Sequence, residues 1–590
     1  MANINQYKIL LPKEPGFYEK FAKDELVRLL GEIGISLDTF SDDIIFSSND
    51  KIISIGRTIN FAESGLKAEY NELKRDGHII KTQGNALYLV GGEGYGTVYA
   101  VYGFLARQFG YNYYAPDEVV FKNANNLEIS DYDVTDIPDI ENRTGANLSS
   151  EPIECATRFR TFHRYGFMQN GECYFGSWAH NHIKEYMPIS KYHGAHPDWY
   201  SPEFTQLCLT NEEMWEEFVK NVIQKIKDKP DSEYFLLGQE DRPTFCGCDR
   251  CKEWEKKIGK SGIMMRFINH VAREVEKWRK ENAPDRYIWI GTFAYQKTVK
   301  PPVVLDDNGK WVPVDSCVIP EKNVFVMLAP IGADMNAPLN DLERNAQTKE
   351  NLDGWTSLTD NCILWTYGAN FSRKFFYFDS FHVMAENYKI AKEYKFKWLL
   401  YEKRTYKGGT AFRDLSAYLH SNLAWNVNLS IHDLANDFMN NYYKDGASEM
   451  KEYMQKTDDY FKTKKKEISE KEGRYVGTYL WQNQETNNVW SPEFFSWEFI
   501  SEMNGLLDRA VQKIKAHGYG EEEQKYVDRV EMERLSLKMI TAEFFKEKFT
   551  KKEYHAFLDE FKNQLERLEI ESIKTKQTLE QTINDWKEKY

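Results

Sequence analysis

From about residue 140 to 430 the chain repeats one unit: a short apolar run ending in polar or aromatic residues, then a stretch with helical spacing. This rhythm constrains the fold strongly. A parallel strand pair needs a crossover long enough to hold a helix, so the chain is directed to a parallel sheet covered by helices. The candidate strands are 143–147, 160–163, 174–180, 234–241, 287–295, 324–330, 362–367 and 396–402. Eight such strands fit a (β/α)8 TIM-like barrel over 140–430.

The flanks read differently. Residues 1–135 alternate shorter signals: strands at 7–11, 44–46, 52–55, 78–81 and 86–90, and helices at 17–30 and 97–109. This predicts a small α/β domain before the barrel. Gly91, Gly92, Gly94 and Gly96 lead into the second helix. They lack the spacing of a dinucleotide fingerprint and any Lys-Ser/Thr ending, so a tight strand-to-helix turn is preferred to a phosphate cradle. After 430 strand signals fade. Residues 431–590 predict an α-helical domain whose last forty residues form one amphipathic helix, and the charge-dense run 462–472 reads as a solvated helix face or linker.

With 590 residues, 42% hydrophobic and 28% charged, the chain has ample material for several cores. Its net charge of −14 argues against a nucleic-acid surface. No run approaches the length of a membrane span, and the N-terminus lacks a signal-peptide pattern, so a cytoplasmic protein with reduced cysteines is expected. The oligomeric state is left open.

Barrel enzymes place their chemistry at the C-terminal tips of strands. The segment YFLLGQEDRPTFCGCDRC, residues 234–251, delivers Glu240 and Asp241 there, and the last candidate strand delivers Glu402. Paired carboxyl groups suit glycoside cleavage, in which one protonates the leaving oxygen and another group attacks, activates water or stabilises the cation. The competing reading pairs them with Arg242, Lys403 or Arg404 as ordinary ion pairs. Alternation along a strand lets at most one of Glu240 and Asp241 face inward. Neighbouring tips supply groups that suit a sugar: Trp178, His180, Asn181 and His182; Tyr295 and Gln296; Trp365, Tyr367 and Asn370. His180 and His182 could share a face and bind a metal, but two histidines without a third ligand favour hydrogen bonding or packing.

Cys246, Cys248 and Cys251 give a C-x-C-x2-C spacing. With Cys208 or Cys173 as a fourth ligand they could hold a structural zinc; the alternative is small buried thiols in a tight loop. No Cys–His relation marks a nucleophile, and no cofactor is required for catalysis.

The order of GYGTVYAVYGFLARQFGYNYYAPDE, AHNHIKEYMP, HPDWYSPEFTQLCLTNEEM, LLGQEDRPTFCGCDRC, GTFAYQKTVKPP, LWTYGANF and AYLHSNLAWNVNLSIHDLANDFMNNYY resembles the bacterial family labelled domain of unknown function 4838, part of which is classed as glycoside hydrolase family 163. The resemblance covers about residues 1–450. Its first stretch is similar to the α/β domain preceding many hexosaminidase and α-glucuronidase barrels. It implies a barrel glycosidase acting on N-acetylhexosamine-containing oligosaccharides, an endo-β-N-acetylglucosaminidase in characterised members, by a substrate-assisted retaining mechanism. Asp241 matches the acid of a Gln-Asn-Asp-Asn pattern, with Glu240 and Arg242 replacing its two Asn. Glu402 matches a Phe-Glu-Gln-Gly pattern whose other residues differ here. His180 matches the centre of a Gly-His-Ser pattern. Two alternatives stand beside this reading: an exo-glycosidase acting on uronic acids, with Arg242, Lys403 and Arg404 as carboxylate ligands, and a carbohydrate-binding barrel without catalysis.

Overall fold

The computed structural model describes residues 2–43, 49–145, 153–162, 174–403, 411–480, 489–574 and 577–590. Its first part is a six-stranded mixed sheet built from β1 (Tyr7–Leu11), β2 (Thr39–Ser41), β3 (Lys51–Ile55), β4 (His78–Gln83), β5 (Ala86–Gly91) and β8 (Asp133–Asp136) in the order β2-β1-β3-β5-β4-β8. A hairpin of β6 (Tyr111–Ala115) and β7 (Glu118–Phe121) lies between β5 and β8 in the chain. The expected strand at 44–46 lies outside the described residues, and β2, β6, β7 and β8 are additions to the sequence reading.

The turn after β5 is packed against itself. A Cβ on Gly91 would collide with the backbone of Gly96 and Thr97. The amides of Gly92 and Gly94 already donate to Gly77 O and Arg75 O, at 2.9 and 2.8 Å. Donors committed in this way cannot cradle a phosphate, and the tight-turn reading holds.

A second sheet runs through β9 (Asn142–Gly145), β10 (Phe175–Ser177), β11 (Tyr234–Leu236), β12 (Trp289–Ala294), β15 (Val324–Leu328), β16 (Cys362–Tyr367) and β17 (Trp398–Glu402). All its pairings are parallel, in the order β10-β11-β12-β15-β16-β17-β9. A small hairpin, β13 (Val303–Leu305) with β14 (Trp311–Pro313), is inserted after β12. Every residue of β15, β16 and β17 is buried, as expected of parallel strands covered on both faces. The sheet is curled, and its two ends are β9 and β10, elements that follow one another in the chain. In place of the expected second strand there is a single parallel bridge, Thr144 to Phe162, so seven strands are formed among the described residues where eight were expected.

Amphipathic helices cover the outside. Helix Glu212–Asp228 is capped by Asn211 and buries Met214, Trp215, Phe218, Val219, Val222 and Ile226 along one stripe. The two sheets are joined by buried ions. The Arg143 guanidinium of β9, wholly inaccessible, lies 2.7 Å from Asp76 and also donates to the carbonyls of Ile140, Glu141 and Arg160. Helices follow from Arg413 onward. The run 462–472 belongs to helix Ala447–Glu472, and it is not purely a solvated face, because Lys465 is buried 2.6 Å from Asp379. The last forty residues form two helices, Lys551–Arg567 and Leu579–Glu588, each started by a Thr capping box. Among the described residues no helix is long and apolar enough to cross a membrane.

Candidate active site

β11 loses regular pairing after Leu236, and Gly238 then bridges to His180 of the segment following β10. A Cβ on Gly238 would strike the carbonyl of Ala179, so the close approach of the two segments requires glycine here. Ala179 itself has φ +65°, the left-handed region that favours glycine. Asn181 locks the junction: its Oδ1 accepts from Gly238 N at 3.0 Å and its Nδ2 donates to Leu236 O at 2.8 Å. Gln239 ties it to the next loop through Thr298 Oγ1 and Tyr295 O, at 2.8 and 3.1 Å.

Past this junction the two acidic neighbours part. Glu240 Oε1 accepts the backbone amides of Ile183 and Lys184, at 2.8 and 3.3 Å, and so closes the turn after β10. It does not line the cavity beside it. Asp241 does: its Oδ1 accepts from Tyr295 Oη at 3.1 Å and Gln296 Nε2 at 3.2 Å, with His180 Nε2 4.0 Å away. The expected Glu240–Asp241 pair is therefore not assembled, and Glu240 is corrected to a loop-holding residue. The cause is an acceptor demand from a turn remote in sequence.

The cavity holds about 230 Å³ and is lined by Asp241, Glu402, His180, Tyr295, Trp365 and Tyr367 together with Trp178, Ala179, Phe293, Ala329, Ile331 and Phe371. Glu402 ends β17 and is 7% exposed; the Asp241 side chain is 61% exposed. The tips of β11 and β17 are four strand steps apart, about 19 Å along a flat sheet at ~4.8 Å per step. Both carboxyl groups line one cavity far smaller than that span, so the curl of the sheet is what brings them together.

The aromatic wall has defined geometry. The rings of Trp178 and Trp365 lie 5.5 Å apart, and Tyr367 stacks on Trp365 at 6.2 Å. Trp365 Nε1 is a buried donor with no protein acceptor among the described residues. Burial, then the charge of Asp241, pushes the Tyr295 phenol well above its ordinary pKa. Burial, then Glu402, does the same for Tyr367. Both therefore stay protonated donors. Phe371 is fixed from outside the sheet, where its amide donates to Leu480 O at 2.7 Å. Phe293 and Phe371 were missed as lining residues, although both sit inside the motifs GTFAYQ and LWTYGANF.

Other expected site residues lie elsewhere. His182 does not share a face with His180, because the chain leaves the strand and enters the turn His182–Tyr186. It packs edge-on against Phe218 and Phe267, and burial holds its pKa at about 3, so no histidine pair is available to a metal. Asn370 Oδ1 accepts the amides of Ser372 and Arg373 and shapes a turn. Lys403 Nζ is buried on Ala411 O, Phe412 O and the Ser416 hydroxyl, so it neither neutralises Glu402 nor offers itself to a substrate carboxylate. Arg242 is exposed, and Arg404, like Cys173, lies outside the described residues. The three motif cysteines are joined by Cys208 in one cluster beside the β11 loop.

The molecule is thus an α/β protein with an acid-and-aromatic cavity at the C-terminal tips of a parallel sheet. More than half of it, residues 113–455, matches the family described as "Domain of unknown function (DUF4838)", and the chain belongs to that family. No curated protein matches it. Among solved structures it is similar to a GH138 enzyme targeting pectin rhamnogalacturonan II, with a TM-score of 0.47, 11% identity and coverage of 99% of this chain and 98% of that one. It is also similar to CpGH84D and CpGH84B, with TM-scores of 0.39 and 0.40, 11% identity, and coverage of 99% of this chain and 96% of each of theirs.

Proposed function

We propose that the protein is a retaining glycoside hydrolase of (β/α)8 type, acting on oligosaccharides that contain an N-acetylhexosamine. The observation that carries this reading is the convergence of Asp241 and Glu402, from distant strands, on one aromatic cavity. The volume is below the ~300 Å³ lower end of drug-sized ligand sites, and so suits a single sugar ring. Trp178, Trp365 and Tyr367 supply faces for its C–H surfaces, and Trp365 Nε1, without an acceptor among the described residues, supplies a donor.

The two carboxyl groups would divide the work by environment. Desolvation favours the protonated form of a carboxyl group, which is what a general acid needs; Glu402 is the buried one and is assigned that role. Asp241 accepts hydrogen bonds from Tyr295 and Gln296 and is assigned to hold the N–H of the 2-acetamido group. The acetamido oxygen then attacks C1 while Glu402 protonates the departing oxygen, giving an oxazolinium ion (a protonated oxazoline) whose N–H stays hydrogen-bonded to the Asp241 carboxylate. Glu402 next draws a proton from water, which opens the ring with net retention. His180 and Tyr295 position Asp241 and the sugar. The resemblance to the N-glycan-releasing part of the family supports an N-acetylglucosaminide over a uronide, as does the commitment of Lys403 elsewhere.

Purified protein should hydrolyse aryl β-N-acetylglucosaminides or N-glycan-derived oligosaccharides, leave glucuronides intact, and be inhibited by the thiazoline analogue of the oxazoline. Glucuronide turnover would transfer the site to uronic acids. Saturable glycan binding without turnover across a broad panel would reduce it to a binding protein.

A further inference from the structure

Beside the β11 loop, outside the cavity, four thiols meet that the proposed hydrolysis does not use. Cys246, Cys248 and Cys251 come from the loop and first turn after Asp241, and Cys208 comes from the segment before helix Glu212–Asp228. Their sulfurs all lie within 4.8 Å of one another. Cys208 Sγ is 3.7 Å from Cys248 Sγ and 3.8 Å from Cys251 Sγ. A tetrahedral zinc with Zn–S bonds of about 2.3 Å has sulfur–sulfur edges of about 3.8 Å. All four are free thiols, well beyond the ~2.05 Å of a disulfide.

The surroundings match a metal knot. Cys248 caps helix Asp249–Asn282, and its sulfur accepts the amide of Cys251 at 3.5 Å. Thr210 Oγ1 lies 3.2 Å from Cys251 Sγ. These are donors that orient and support thiolate ligands. Three of the cysteines are buried and Cys248 is half-buried, so four protein ligands close the site and leave no open position, the pattern of structural rather than catalytic zinc.

We propose that Cys208, Cys246, Cys248 and Cys251 bind one structural zinc ion, which fastens the loop carrying Asp241 to the segment 205–210. Binding breaks four S–H bonds, forms four Zn–S bonds and sends four protons to solvent, with no change of oxidation state. The mechanical link is short. Gln206, two residues before Cys208, donates to Glu240 O at 3.0 Å and accepts from Glu240 N at 3.1 Å. The hydroxyls of Thr205 and Thr244 meet at 3.0 Å. The metal at one end and Gln206 at the other therefore clamp the loop on both sides of Asp241.

The test reads metal, not hydrolysis, so it stands or fails apart from the glycosidase assignment. Protein purified under reducing conditions without chelator is expected to carry one zinc per chain by elemental analysis. Zinc should be released by a thiol-blocking mercurial, and cobalt substitution should give the intense visible bands of tetrahedral thiolate coordination. Cys208→Ser and Cys246→Ser should lose most of the metal and melt several degrees lower, whereas Cys317→Ser, a half-buried cysteine outside the cluster, should keep both. If a cluster variant does not fold, the wild-type metal content and cobalt spectrum decide alone. Wild-type protein that lacks zinc and takes up neither zinc nor cobalt would overturn the proposal, as would disulfides among the four cysteines or iron in place of zinc.

Discussion

The tips of β11 and β17 face one cavity but hold their acids in opposite ways. Glu402 is the last residue of a strand: it is in register with Tyr367, its carbonyl accepts from Gly368 N at 2.9 Å, and it is buried. Asp241 lies in the loop beyond its strand, is exposed, and is placed by side-chain hydrogen bonds from Tyr295 and Gln296 and by a neighbour anchored elsewhere. A position set by a ladder is stiff, and this one is shielded from water. A position set by a loop depends on whatever ties that loop. The two acids should thus differ in chemistry and in what perturbs them.

The largest expected effect tests the chemical difference. Asp241→Asn and Glu402→Gln should each lower kcat/KM on a natural linkage by about 10²–10⁴, the usual range for loss of an acid–base group. They should separate on activated substrates. A nitrophenyl leaving group needs no proton, so Glu402→Gln should recover most of its rate and Asp241→Asn should not. If the recovery falls to Asp241→Asn instead, the roles are reversed; if both variants keep full turnover, neither acid belongs to the reaction.

The next effect concerns the support of the β17 side. β17 pairs with β9, and β9 is pinned to the first sheet by Arg143 on Asp76. Nearby, Arg158 donates to Glu25 of helix Phe17–Glu32 at 3.0 and 3.1 Å. Burial pushes the Glu25 carboxyl up, but hydrogen bonds from Arg158, Arg28 and Tyr102 outweigh it and hold the pKa at about 2. Below its ordinary value of 4.5 the unfolded chain binds the proton and the native protein does not. The contribution, about 3 kcal/mol, is therefore present above pH 4.5 and lost as pH falls towards 2. Glu25→Gln should cost up to that amount in urea unfolding at neutral pH, with the deficit shrinking on acidification, while leaving group selectivity stays unchanged. A deficit independent of pH would show that Glu25 acts through packing instead.

A smaller effect probes the β11 side. Tyr295→Phe removes one of two hydrogen bonds to a half-solvated carboxylate, so a loss near tenfold in kcat/KM is expected, or about 1.4 kcal/mol. The fold should be unaffected. A loss equal to that of Asp241→Asn would make the phenol itself a reacting group.

Much of this arrangement was legible in the sequence, for identifiable reasons. β11, β15 and β17 are apolar runs with polar residues at or just past their ends, β12 and β16 are interrupted only by Gly291, Thr292 and Thr366, and burial on both faces makes such runs conspicuous. The acids and most of the aromatics at their tips were read with them. The strand near Phe162 was overread, since one bridge forms there. The break near the C-terminus was signalled by Thr578 and Gln581, a capping box inside an otherwise helical pattern. His182 was misplaced because alternation was extended past the point where the strand ends. Cys208 could be named only as one of two candidates, because the contact with Cys248 spans 40 residues. Period and composition report on neighbours in sequence; which acid turns inward, and which thiol completes a cluster, depend on segments that the fold alone brings close.

The smallest expected effect is the sharpest test of that last point. Glu240 and Asp241 are adjacent and chemically alike, and alternation said only that at most one of them faces in. The structure gives Glu240 the amides of Ile183 and Lys184, an acceptor role that Gln can also fill through its carbonyl oxygen. Glu240→Gln should keep kcat/KM within about threefold and cost under ~1 kcal/mol, since the geometry survives and only the charge assistance is lost. Glu240→Ala leaves two amides without their acceptor and should cost about 1–3 kcal/mol, with a lower melting temperature. A residue in the reaction would give the reverse ranking: Gln would be as damaging to turnover as Ala, with no loss of stability. The ratio of the two variants, read in both activity and melting, decides whether this acid holds the loop or joins the chemistry.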